Sequence, residues 1–113
     1  MRIVIDLQGA QTESRFRGIG RYSLSFVRAL LSERSQHDFW VVLNGRFGES
    51  ISEIEEALAD VLPRDRVRVF ETPPGVALRD PENSWPAAAL EVIREAFIAE
   101  LRPDLVLVTS LFE

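Results

Sequence analysis

The chain predicts an α/β fold of Rossmann-like type, three layers deep, with a parallel sheet of about four strands in the order 3-2-1-4. Three observations carry that expectation. Short apolar runs alternate with longer stretches of three- and four-residue apolar spacing, strand and helix in turn, with no internal repeat. Two glycines, Gly18 and Gly20, sit between the first apolar run and the first helical pattern. The 113 residues are 46% hydrophobic and 27% charged, the balance of one ordinary domain with a real core.

Ile3 to Leu7 reads as the first strand, followed by a polar, arginine-bearing loop from Gln8 to Arg17. The first helix is expected over Ile19 to Glu33. Ile19, Tyr22, Phe26, Val27, Leu30 and Leu31 form its apolar stripe, with Arg21, Ser25, Arg28 and Ser32 opposite. Phe39 to Leu43 is a second strand, rich in residues that suit a pleated surface. A second helix is expected to start at Ser50 or Ser52, the latter at capping-box spacing from Glu55. Its stripe is Ile51, Ile54, Leu58, Val61 and Leu62, and Pro63 stops it. Val67 to Phe70 is a short third strand, and the prolines between Glu71 and Asn83 mark a loop. The third helix runs from Trp85 to Leu101, with Ser84 as cap, Pro86 in the first turn, and Leu90, Ile93, Phe97 and Leu101 buried. Arg102-Pro103 ends it, and Leu105 to Val108 is the fourth strand. The first and fourth strands read as the most buried, which is why the order 3-2-1-4 is expected. The apolar strand so near Glu113 reads as the first part of a longer protein, and an open edge there could drive association.

Composition excludes several chemistries. The formal net charge of −5 is wrong for sequence-independent binding of nucleic acid, so no nucleic-acid partner is expected. The chain has no cysteine, which removes disulfides and thiolate metal sites and permits a cytoplasmic setting. With His37 the single histidine, an imidazole-built zinc site is not expected, nor any other metal. All thirteen basic residues are arginine, so there is no P-loop lysine and no Schiff-base chemistry. No apolar run approaches the roughly 20 residues of a transmembrane helix, and the N-terminus does not read as a signal peptide.

Ligands of open parallel sheets bind beyond the carboxyl ends of the strands. Four segments meet there: Asp6-Leu7-Gln8 with its loop, Asn44-Gly45-Arg46, Glu71-Thr72, and Thr109-Ser110. Gly18 and Gly20 would let a backbone approach a ligand closely. The helix start behind them offers free N–H groups, and Arg15, Arg17 and Arg21 could add charge for a diphosphate. Alternatively the glycines only shape a turn and the arginines are solvated. A dinucleotide fingerprint fits poorly, because Ser23 stands at the third glycine position and about ten residues separate the strand from Gly18. Asp6 at a strand end could do chemistry or bond the neighbouring loop. Asn44-Gly45 could meet a ligand or be a common turn. Trp85 could stack on a sugar or cover the core, and core cover is the expectation; His37 is expected on the surface.

The segment MRIVIDLQGAQTESRFRGIGRYSLSFVRALL, with VVLNGRF at 41–47 and PDLVLVTSLFE at 103–113, resembles the N-terminal domain of the family 4 retaining glycosyltransferases. The likeness spans nearly the whole chain and is nearest to bacterial mannosyltransferase-like members that build surface polysaccharides. It implies the GT-B architecture, two Rossmann-like domains facing each other across a cleft. Residues 1–113 would then be one domain, part of the acceptor-side domain of a larger enzyme. The implied reaction is transfer of a sugar, mannose being the candidate, from a GDP- or UDP-sugar to a glycan or lipid-linked acceptor. The anomeric configuration would be retained and no cofactor used. Gly18, Ile19, Gly20 and Arg21 would contact the donor diphosphate, the departing group whose charge such catalysis stabilises. Asp6, Gln8, Arg15, Arg17, Asn44, Arg46, Thr109 and Ser110 would form the acceptor or cleft rim. The family's paired glutamates and its basic pair for the diphosphate belong to a C-terminal domain outside this sequence, and no histidine follows the fourth strand. The resemblance therefore implies a chain inactive alone, with the full enzyme in the cytoplasm and peripheral at the inner face of the membrane. The alternatives are a stand-alone nucleotide- or phosphate-binding module and a domain that associates through its open edge.

Overall fold

A computed structural model describes residues 1–11, 18–33, 36–72, 82 and 84–109, with backbone alone at 18–20. The elements are β1 (Arg2–Asp6), α1 (Gly18–Ser32), β2 (Asp38–Asn44), α2 (Gly48–Leu58), β3 (Val67–Phe70), α3 (Trp85–Glu100) and β4 (Leu105–Val108). Tight 3-10 turns at Gln8–Ala10, Gly45–Phe47 and Arg64–Arg66 join them. All strand pairings are parallel, in the order β3-β2-β1-β4. This is the Rossmann-like α/β arrangement expected from the alternation.

Strand periodicity divides the core into two. Ile3, Ile5, Val41 and Leu43 point to one face and pack with Val27 of α1 and with Ile54 and Leu58 of α2. Val4, Trp40, Val42 and Phe70 point to the other and meet Ile98 of α3, flanked by Ile93 and Phe97. Handedness explains the split. The chain moves from β1 to β2 to β3 in one direction with its helices on one face. It then reverses past two strands to reach β4, and a reversed crossover stays right-handed only on the opposite face. Burial of each large aliphatic such as Leu58, fully enclosed here, contributes about 1.5–3 kcal/mol.

Helix ends depart from the expected positions by one to four residues. α2 begins at Gly48, because the 3-10 turn after β2 runs straight into it and no serine caps it. Val61 and Leu62 follow the helix in a turn closed by the Leu62 N–H on the Leu58 carbonyl at 2.8 Å. After α3, Arg102 adopts φ 53°, the left-handed position usual at a helix C-terminus, and Pro103 prevents continuation.

Three expectations about burial fail. β4 is the edge that the order 3-2-1-4 makes it, but it is not among the most buried strands: its Leu105, Val106 and Val108 are 44%, 38% and 46% exposed. Its composition suits a strand covered on both faces, yet only β1 lies beside it. Tyr22 and Phe26 are exposed at 69% and 45%, although helical spacing puts them on the apolar stripe. The buried line of α1 runs through Ser23 and Val27 instead, and Tyr22 and Phe26 lie on its β4-side flank. Trp85 is 62% exposed rather than core cover. His37 is exposed, as expected. Among the described residues no helix is long and apolar enough to cross a membrane.

Candidate functional site

The strand order reverses between β1 and β4, and α1 starts beside that switch point, the position where open α/β sheets take their ligands. The carboxyl ends of the strands carry a polar network that joins four elements. Asp6, 4% exposed at the end of β1, is its centre. One carboxylate oxygen accepts the Gln8 backbone N–H at 3.2 Å and the Gln8 side-chain amide at 3.0 Å. The other accepts Arg94 Nη1 from α3 at 2.7 Å. The Asp6 carbonyl receives both the backbone N–H and the hydroxyl of Thr109, fixing the end of β4 to β1.

The network continues across β2. The Asn44 amide nitrogen donates to Gln8 Oε1 at 3.3 Å, and its oxygen accepts the Arg46 N–H at 3.0 Å and the Thr72 hydroxyl at 2.8 Å. Gln11 completes it. Its oxygen accepts the Asn44 N–H at 2.7 Å and its nitrogen donates to the Asn44 carbonyl at 2.9 Å, so its amide pairs with Asn44 as a neighbouring strand would. A Cβ at Gly45 would stand 3.0 Å from the Phe70 carbonyl oxygen, so a side chain there would force the end of β3 to give way slightly. Burial acts against the Arg94 charge, but Glu91 and Asp6 outweigh it and hold the guanidinium pKa above its ordinary value.

These contacts separate the expected site residues. Asp6, Gln8 and Asn44 are brought together, but their polar atoms bond one another; Asp6 and Asn44 are buried below the rim. Thr109 joins them through the Asp6 carbonyl. Arg46 is exposed, with its guanidinium over the Phe47 ring at 5.6 Å. Gly18, Ile19 and Gly20 form the first turn of α1 rather than a loop ahead of it, and Arg21 is exposed in the next turn. The N–H groups of a first turn have no partners within the helix, so an anion can approach them and the positive end of the helix dipole together. Arg15, Arg17 and Ser110 lie outside the described residues.

Two members of the network, Arg94 and Gln11, went unforeseen. Arg94 was legible, because it falls between Leu90 and Phe97 at stripe spacing, where a charge needs a buried partner. Gln11 carries no local signal, since its role comes from β2 lying beside it, whereas Thr72 belongs to the Glu71-Thr72 segment expected at the strand ends.

Over its full length the chain is similar to part of a mannosyltransferase. The relative is the Escherichia coli serotype-specific mannosyltransferase WbdA, 34% identical over 114 aligned residues that take in 100% of this chain. Two further Escherichia coli proteins of that name are 29% and 28% identical over 87 residues, 76% of this chain. The chain spans 14% of the length of the first of these relatives and 11% of each of the others. No protein-family model matches the chain. No solved structure matches it either.

Proposed function

We propose that this chain is the acceptor-side, Rossmann-like domain of a GT-B glycosyltransferase of family 4. It serves transfer of a mannosyl unit from a GDP- or UDP-sugar to a glycan or lipid-linked acceptor, with retention. The end-to-end similarity to WbdA carries this reading. The position of α1 beside the switch point supports it, since in this reading the N–H groups of its first turn, Gly18 to Gly20, would bind the diphosphate and Arg21 would add charge. In the reaction the anomeric carbon loses its bond to the diphosphate and gains one to the acceptor hydroxyl oxygen on the same face. The acceptor's proton leaves with the nucleoside diphosphate. Donors already oriented toward the departing oxygens stabilise the charge that develops there. The remaining diphosphate contacts belong to a second domain, and the enzyme works in the cytoplasm, peripheral to the inner membrane face.

Two measurements test this. Titration calorimetry of the chain with GDP or UDP is expected to give at most weak binding, and a dissociation constant below about 1 μM would overturn the split site. In the longer transferase, Gly20→Asp sets a carboxylate beside the diphosphate and is expected to abolish transfer, whereas undiminished transfer would remove the first turn from the mechanism.

A second reading, a domain that associates through its edge, has one observation in its favour, the exposed apolar side chains of β4.

A further inference from the structure

Among the described residues, Asp6, Gln8, Asn44 and Thr72 at the strand ends bond one another or Arg94, which makes the surface next to them the candidate for recognition of the acceptor. A groove of about 260 Å³ lies directly beside the switch point, between α1 and the end of β4. Tyr22, Ser23 and Phe26 form one wall, and Leu107, Val108 and Thr109 the other. It is smaller than the pockets that enclose drug-sized ligands, and suits a single sugar ring. The Tyr22 and Phe26 rings are near-parallel, inclined by 16° with centroids 6.3 Å apart, and both are exposed.

We propose that this groove is a subsite for a hexopyranoside of the acceptor glycan, an inference that rests on the transferase reading above. A pyranose has an apolar C–H face and a hydroxyl perimeter. Tyr22 and Phe26 stack on one another, and the outer face of that stack matches the first, because aromatic faces carry partial negative charge and polarised C–H groups partial positive. The Tyr22 phenol and the Thr109 hydroxyl match the second. Thr109 donates its proton to the Asp6 carbonyl at 3.2 Å, which leaves its oxygen able to accept from a sugar hydroxyl. Ser23, 1% exposed, donates to the Thr109 carbonyl at 3.4 Å and so ties the two walls together. A sugar held there sits at the strand ends beside the first turn of α1, as an acceptor facing a donor diphosphate requires.

The test is saturation-transfer NMR of the 113-residue chain with methyl α-D-mannopyranoside and an α-linked mannobiose, followed by titration. Irradiating aromatic protons is expected to transfer saturation to the sugar C–H protons. Tyr22→Ala or Phe26→Ala is expected to weaken binding about tenfold, and Phe26→Tyr to retain it. Phe26→Leu keeps apolar volume without a ring, and answers the question should the alanine variants fail to fold. No transfer from aromatic protons, or equal affinity in Phe26→Leu, overturns the subsite. Loss of self-association in place of loss of sugar binding overturns it too, and assigns the rings to a protein contact. The transferase reading fails separately, through the Gly20→Asp result, whatever the groove binds.

Discussion

Asp38 faces cations and a donor from three parts of the chain. It accepts Arg2 Nε at 3.2 Å, Arg66 Nε at 3.0 Å and the Trp40 indole N–H at 2.9 Å. The guanidiniums of Arg2, Arg66 and Arg68 lie 5.1, 4.5 and 5.1 Å from the Trp40 ring, so one indole and one carboxylate gather the arginines of the amino-terminal end. The Trp40 hydrogen bond, then Arg66 and Arg2, lower the Asp38 pKa against the opposing effect of burial. A carboxyl depressed in the folded state stabilises it above the unfolded pKa, and that stability is lost as pH falls through the folded value. Urea unfolding followed from about pH 6 to about pH 3 is therefore expected to show less acid sensitivity in Asp38→Asn than in the parent. Because Asp38 is partly exposed, the difference should be about 1 kcal/mol or less. Such clusters escape sequence reading, because Arg2, Asp38 and Arg66 come together only through the register that sets Arg2 opposite Asp38.

At the scale of elements, strand positions were legible because four- to seven-residue apolar runs are bounded by polar or proline signals; β3 and β4 fall as expected. Helix starts were less so. α1 takes Gly18 and Gly20 into its own first turn, and α2 grows from the turn after β2, where the strand end rather than a side-chain cap fixes its start. Gln11 illustrates this. Its amide holds the exit of β1 against the backbone of Asn44, the residue that leads into the turn before α2. Gln11→Ala leaves two buried backbone groups without that partner, and is expected to cost about 1–3 kcal/mol in chemical denaturation. Amide exchange at Asn44 should quicken more than at Val41, one turn of pleat earlier in the same strand; equal exchange would deny Gln11 its local role.

At the scale of the molecule, the sheet is asymmetric. The β3 side ends in a short strand carrying the charged Arg68, which discourages a further neighbour. The β4 side offers Leu105-Val106-Leu107-Val108 with no charge. The edge position of β4 follows from the expected order, but its apolar composition suggests a burial that an edge does not provide, since the same four residues serve a centre or an unguarded edge. Val106→Lys places a charge on that edge. It is expected to suppress concentration-dependent association in sedimentation velocity while leaving the circular dichroism spectrum unchanged. Association equal to that of the parent would show that β4 is not the sticky surface.

The pairing of Ile3 with Leu105 has a consequence for how the chain acquires its shape. β1, the first strand made, borders the fourth, so one side of it stays bare until about a hundred later residues have left the ribosome. β1, β2 and β3 can associate in order of synthesis, each with the strand just before it. The closing step is the long return to β4, the contact of greatest separation along the chain and the greatest loop-closure cost. Asp6, which holds Arg94 and Thr109, is completed in that same step. The switch point is thus the last place to form, and the groove between α1 and β4 exists in a nascent chain only once β4 has docked.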